Sequence, residues 1–410
     1  LATINRHHFT GIWRKGLQFQ HWYVITHRII ALKDTRSTKV SNAISNSNKQ
    51  TCLLLFQTAA SLAVPLYYIW SEYAVLPITK QQWTLKARPQ GVPDRNEVDI
   101  ETRTIDHVPA EHLLIECLYF SMDPAIRGWM SDVPNYLPPI PLGDSVRSSV
   151  VGKVLQSEAD GFRTGDLVVG TGGWETHGVV PAAYFSVIPP DSPFPAHYYL
   201  SALGAVGLTP YFGLLRAGKA AAGQTLLMSA AAGAVGSIGG QIGKILGQRV
   251  VGIAGSDEKC QWVTDELGFD GCINYKTCGD MEQAIRDACP EGVDLFFDNV
   301  GGEILDAALM NLNKDANIVF CGSISNYNAT EPVPGPYNWW QVLARSVTVQ
   351  GYLISDYLSE FPEGQAQISE WINSGQLKFK EHIVDGFENT LDAYNLLFEG
   401  KNDGKLMVKV

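Results

Sequence analysis

Charge is scarce in this chain: Asp, Glu, Lys and Arg make up 18% of 410 residues, and the acids outnumber the bases 42 to 31. No Lys/Arg cluster offsets the resulting net charge of -11, which excludes a nucleic-acid surface built on basic patches. Cysteine is sparse and scattered, at 52, 117, 260, 272, 278, 289 and 321. No two form a CxxC pair, so neither a disulfide framework nor a structural zinc site is indicated. Free thiols in a reducing, cytoplasmic compartment are expected. The Cys/His/Cys-or-Glu set of zinc alcohol dehydrogenases is also lacking: Cys117 reads as strand interior, and His177 finds no third ligand. There is no G-x-S-x-G and no Ser/His/Asp order for nucleophilic catalysis.

The N-terminal 78 residues differ in texture from the rest. A Ser/Asn-rich stretch (37–50) leads into TCLLLFQTAASLAVPLYYIW (51–70), long enough to cross a bilayer but broken by Pro65. A membrane anchor and an unrelated upstream segment both fit, so membrane association through 51–70 stays open. From Ile78, short alternating segments broken by Gly and Pro predict a β-rich region. From Gly207 the pattern predicts strand–helix repeats. Strands are expected at Thr225–Met228, Val250–Ala254, Gly271–Asn274, Val293–Asp298 and Ile318–Cys321, with helices over Ser256–Leu267 and Met281–Ala288. The fold class is therefore α/β, with a doubly wound parallel sheet beside a β-rich domain.

SAAAGAVGSIGGQIGKILG (229–247) sits between two apolar runs. Gly233, Ala234, Val235 and Gly236 occupy the later part of a G-x-G-x-x-G turn, with Ala231 at the first position. Such a turn lets backbone N–H groups reach a pyrophosphate at the start of a helix, here expected from Ser237. Gly239, Gly240 and Gly243 inside that helix each cost about 1 kcal/mol relative to Ala, which suggests close backbone packing. A tight glycine turn without ligand is the alternative. The next strand ends in small, uncharged residues instead of the acid that binds a ribose 2′-hydroxyl. Ser256 reads as a helix N-cap, and Lys259 stands in the first turn, where the helix dipole disfavours a cation. Both make sense if they face a 2′-phosphate, which selects NADPH over NADH. A solvated surface lysine is the alternative. Asp298 reads as a strand-end acid capping the turn that follows it.

From about residue 79 onward the chain resembles the zinc-independent medium-chain dehydrogenase/reductases of the prostaglandin reductase (leukotriene hydroxydehydrogenase) and curcumin reductase type. The resemblance is carried by FSMDPAIRGWM (120–130), GLTPYFGLL (207–215), AAAGAVGS (230–237), the 255–276 segment, VDLFFDNVGGEILD (293–306), CGSISNYN (321–328) and the tail 386–410. It implies a GroES-like catalytic domain (79–203 and 350–410) and an NADP-binding Rossmann domain (204–349), with the site in the cleft between them. It further implies that Lys259 and Tyr275 hold the 2′-phosphate and that Asn299 contacts the cofactor. Cys321, Gly322 and Ser323 line the nicotinamide side, with Tyr352, Leu353, Ile354 and Asn402 nearby.

The activity implied is metal-free hydride transfer from NADPH to the C=C bond of an α,β-unsaturated ketone or aldehyde. A quinone or alcohol substrate on the same scaffold, or a binding protein without turnover, remains open. An enolate oxygen formed this way needs a hydrogen-bond donor, for which Tyr327 is the candidate; ordering the cofactor ribose is its other reading. A homodimer is the family expectation. Two departures stand out. The step before LTPYFGLL is about three residues short, and Ala125 replaces a tyrosine common among relatives.

Overall fold

The computed structural model describes residues 76–410, so the apolar run 51–70 and its anchoring role lie outside the described residues. The first part contains β1 (Ile78–Leu85), β2 (Val98–Ile105), β3 (His112–Ser121), the short helix α1 (Ala125–Trp129), β4 (Arg147–Ser157), β5 (Leu167–Gly173), β6 (His177–Pro181) and β7 (Phe185–Val187). Then α2 (Ala205–Phe212) precedes the alternation of β8 (Thr225–Met228), α3 (Ala234–Ile245), β9 (Arg249–Ala254), α4 (Asp257–Asp265), β10 (Gly271–Asn274), α5 (Met281–Ala288), β11 (Val293–Asp298), α6 (Gly302–Asn311), β12 (Leu312–Phe320), α7 (Trp340–Ala344) and β13 (Thr348–Gly351). The chain ends with α8 (Phe361–Asn373), β14 (Glu381–Asp385), α9 (Thr390–Glu399) and β15 (Lys405–Lys409).

β8 to β13 form a six-stranded sheet in the order β10-β9-β8-β11-β12-β13, every pair parallel. Alternate residues along its strands enter two different cores. Leu226, Met228, Val250 and Phe297 pack on one face, and Leu227, Val251, Ile253 and Phe296 on the other. Burial on both faces is why these strands read as unbroken apolar runs. The other large sheet has the order β14-β15-β3-β4-β5-β7 with β6 on β3, so the last strand inserts beside an early one. Trp83, Phe120, Trp174 and Tyr394 fill the core beside this sheet.

Several boundaries differ from expectation. The glycine-turn helix starts at Ala234 with Gly233 as N-cap, and Ser237 is buried within it; Ser237 N–H donates to the Gly233 carbonyl at 2.9 Å, an ordinary helical bond. β12 begins at Leu312 and ends at Phe320, one residue before Cys321. Ser256 caps α4 from outside, and α4 ends at Asp265. Ile368, Trp371 and Leu377 pack with the parallel sheet, so the chain returns to the other, mixed sheet at Glu381, where β14 pairs parallel with β15, later than position 350.

Candidate active site

β8 and β11 are neighbours at the point where strand order reverses, where open α/β sheets bind ligands beyond their strand ends. Ser229 and Asn299 follow these two strands and lock together. Asn299 N–H donates to Ser229 Oγ at 2.8 Å, and its side-chain Nδ2 donates to the Ser229 carbonyl at 2.8 Å. The buried Asp298 carboxylate accepts from Ser229 Oγ and from the Val300 and Gly301 N–H groups, each at 3.0 Å. It caps that turn, as its sequence position implied.

On the β8 side, Ala230 stands at φ 51, a left-handed conformation costly for a residue with a Cβ. Its carbonyl accepts from Gly233 N–H at 2.9 Å and closes the turn. A Cβ on Gly236 would collide with that same carbonyl. The helix start is therefore pressed against the turn, and the first-turn N–H groups of Ala234, Val235 and Gly236 have no acceptor within the helix. Farther along α3, a Cβ on Gly239 would meet Met228, one on Gly240 the Phe269 ring, and one on Gly243 the Leu226 side chain. The weak helix formers are thus explained by close packing. A cradle of bare backbone donors at a strand-to-helix turn fits a dinucleotide pyrophosphate.

Ser256, Lys259 and Tyr275 gather at the end of β9 and β10. Ser256 Oγ accepts from Lys259 N–H at 3.3 Å, and the Tyr275 ring lies against Gly255, 3.0 Å from where a Cβ would stand. Lys259 Nζ donates to the Gly400 carbonyl at 2.8 Å, and burial lowers its pKa. Gly400 ends α9 in the left-handed conformation, and the following tail pairs Gly404 with Gly233 through an isolated bridge. This crossing carries Asn402, which donates to the Gly404 carbonyl at 2.9 Å, toward the glycine turn.

On the other side of the switch point, Cys321 and Gly322 donate backbone N–H bonds to the Asp298 carbonyl at 2.8 and 3.1 Å. The Tyr327 hydroxyl accepts from Ser323 N–H at 3.2 Å, which leaves its own hydrogen available. Burial raises the Tyr327 pKa, and it pushes the Cys321 thiol up to about 12. Tyr352 is committed elsewhere: its hydroxyl donates to the Thr209 carbonyl at 2.6 Å, tying it to α2. Leu353 is partly exposed, while Ile354 packs against the core. The short step before α2 is a buried turn, and a Cβ on Gly207 would strike the Ala202 carbonyl.

Two features escaped the sequence reading. Tyr136, in the loop after α1, is half exposed, and partial desolvation of its hydroxyl pushes its pKa up to about 12. Trp129 meets it edge-on, with ring centroids 6.1 Å apart. Arg127 in α1 reaches Asn328, the neighbour of Tyr327, at 3.0 Å. The NYLPP stretch just after FSMDPAIRGWM was the available signal for Tyr136. A separate groove of about 680 Å³, lined by Lys80, Arg103, His107 and Tyr184 among others, includes none of the expected site residues.

A mixed, mostly antiparallel β-rich half completed by the chain's last strand, joined to a parallel sheet with a glycine turn at its switch point, defines a medium-chain dehydrogenase/reductase. Residues 81–188 match the family described as the N-terminal domain of oxidoreductase, and residues 234–370 match the family described as zinc-binding dehydrogenase. Among the described residues, no three His, Cys, Asp or Glu side chains converge as a metal site would require.

The chain is 43% identical to the Bacillus subtilis (strain 168) protein YfmJ, over 81% of this chain and 98% of that protein. It is 37% identical to the NADPH-dependent curcumin reductase of Escherichia coli (strain K12), over 80% and 96% respectively. The structure of CurA from Vibrio vulnificus in complex with NADPH is 37% identical, with a TM-score of 0.76 over 80% of this chain and 99% of that one. The chain belongs to the zinc-independent NADP-dependent oxidoreductases of this class, alongside the curcumin and prostaglandin reductases.

Proposed function

We propose that this protein reduces the C=C bond of α,β-unsaturated ketones and aldehydes with NADPH, and that Tyr327 donates a hydrogen bond to the oxygen that gains negative charge. The observation that supports this reading is the Tyr327 hydroxyl itself. It is partly buried beside the Asp298–Asn299 switch point, and the Ser323 N–H aims it while leaving its proton free. When bound, NADPH supplies the hydride. The free first-turn N–H groups of Ala234, Val235 and Gly236, behind the Gly233 cap, hold the pyrophosphate, and Ser256, Lys259 and Tyr275 hold the 2′-phosphate. Asn299 and Asn402 contact the cofactor from either side of the turn. The nicotinamide end is lined by Cys321, Gly322, Ser323 and Leu353, with Tyr352 and Ile354 as support.

The working unit is a homodimer joined through β13. All four residues of that edge strand are exposed, and Trp340 and Leu343 beside it stand 69% and 67% exposed. An edge left unpaired among the described residues, with large apolar side chains just before it in the chain, suits pairing with a second copy.

The test is turnover of the full chain with NADPH and a panel of enones, with products identified by NMR. Saturated ketones and aldehydes are expected. Allylic alcohols or quinols as the only products would overturn the substrate assignment.

A further inference from the structure

Cys260 lies early in α4, and Cys272 lies in β10, the edge strand onto which α4 leads. Their sulfurs are 2.9 Å apart, with Cys272 donating to Cys260. That is closer than ordinary non-bonded packing, and less than 1 Å longer than a disulfide bond of about 2.05 Å. Both residues are partly exposed while also packing against the core of the parallel sheet. The pair also lies beside, not within, the adenosine end of the proposed cofactor site. Cys260 directly follows Lys259, and Cys272 precedes Tyr275 by three residues on the same connection. Neither thiol has a part in hydride transfer.

We propose that Cys260 and Cys272 form an oxidisable dithiol whose disulfide weakens NADPH binding at the 2′-phosphate. The coupling to NADPH rests on the cofactor assignment above; the bond itself does not.

The oxidant is a small-molecule disulfide such as glutathione disulfide. The Cys260 thiolate, nearer the helix N-terminus, attacks one of its sulfurs and expels a glutathione thiolate, leaving a mixed disulfide. The Cys272 thiolate then attacks the Cys260 sulfur and expels the second glutathione. Two protein thiols are oxidised, one glutathione disulfide is reduced, and the two protons released by the protein go to the two leaving thiolates. Burial raises both cysteine pKa values, so exchange speeds up at alkaline pH. Closing the bond draws the first turn of α4 toward β10 and shifts Ser256 and Lys259 relative to Tyr275.

Trypsin cuts after Lys259 and Lys276, so one peptide, 260–276, contains both cysteines. The full chain is equilibrated with glutathione disulfide, trapped with an alkylating reagent and digested. The expected peptide has lost two hydrogens and resists alkylation. The NADPH KM then rises about three- to tenfold, the loss expected when one charge-assisted hydrogen bond loosens, while the NADH KM stays constant. Dithiothreitol restores both readouts. Cys260→Ser and Cys272→Ser abolish the response with reduced-state turnover unchanged, and Cys278→Ser retains it.

A peptide carrying glutathione or alkyl groups on both cysteines overturns the proposal. So does a cross-linked peptide with an unchanged NADPH KM. If the reduced protein has no preference for NADPH, the cofactor assignment fails and the coupling with it, while the peptide mass still judges the bond separately.

Discussion

Arg127 Nε donates to Asn328 Oδ1 at 3.0 Å, linking α1 of the β-rich half to the loop that carries Tyr327. The same buried guanidinium donates to the Pro89 and Gly91 carbonyls, each at 2.9 Å, and to Ser131 Oγ at 2.7 Å. Arg127→Met leaves those acceptors without their charged donor, and should lower stability by about 3 kcal/mol in urea unfolding. Asn328→Ala removes only the link between the halves. It should cost about 1 kcal/mol or less, yet reduce kcat, because the Tyr327 loop loses its tie to the opposite side. Equal losses of stability in the two variants would remove this distinction.

Tyr327→Phe should lower kcat about 100-fold, the scale of removing one preorganised donor, and change the NADPH KM little. The pH profile follows from the direction of its pKa shift. The donor exists below the tyrosine pKa and is lost above it, and burial raises that pKa beyond the ordinary value of 10.0. Turnover limited by this hydroxyl therefore shows no decline centred below pH 10. Steady-state kinetics across the alkaline range provides the check.

The inner strands β8, β9 and β11 of the parallel sheet were legible because they are buried on both faces, and the limits of β8, β10 and β11 coincide with those expected; the exposed edge strand β13 left no such trace. The start of α3 was not, because Gly233 caps it without a side-chain hydrogen bond, whereas Ser237 merely resembles a cap. The beginning of β12 was hidden by its polar residues Asn313-Lys314-Asp315, the last at φ 63. In the site, the glycine turn and the Ser256 cap carry local signatures. The meeting of Arg127 with Asn328 joins segments about 200 residues apart and has no local trace.

Lys259→Ala should raise the NADPH KM about tenfold and leave the NADH KM unchanged, because only NADPH carries the 2′-phosphate. Burial is the main cause lowering the Lys259 pKa from 10.5. Its positive charge in the free enzyme is complete at low pH and is lost as pH rises through that lowered value. The NADPH KM should accordingly climb with an apparent pKa below 10.5, a trend absent with NADH. Paired KM measurements over pH would detect it.

Trp340→Glu combined with Leu343→Glu should convert the dimer to a monomer in sedimentation velocity. Both side chains are largely exposed beside the β13 edge, so the fold itself loses little packing. An unchanged sedimentation coefficient would place any dimer contact elsewhere.

Gly236→Ala tests the cradle most directly. The new methyl would strike the Ala230 carbonyl, which is itself fixed by the bond from Gly233 N–H and by the left-handed backbone of Ala230. A backbone atom held in this way cannot yield as a flexible side chain would, so α3 must move off the turn. The displacement should cost about 1–3 kcal/mol of stability, as for other overpacked sites. It also separates the Ala234, Val235 and Gly236 donors from the pyrophosphate position, so NADPH fluorescence titration should show binding weakened about tenfold or more. Gly335→Ala is the control: nothing lies within 4 Å of its added Cβ, and its φ is not positive. That variant should stay within about 0.5 kcal/mol of the parent and bind NADPH equally well. If Gly236→Ala binds NADPH as tightly as Gly335→Ala does, the first turn of α3 is not the pyrophosphate site.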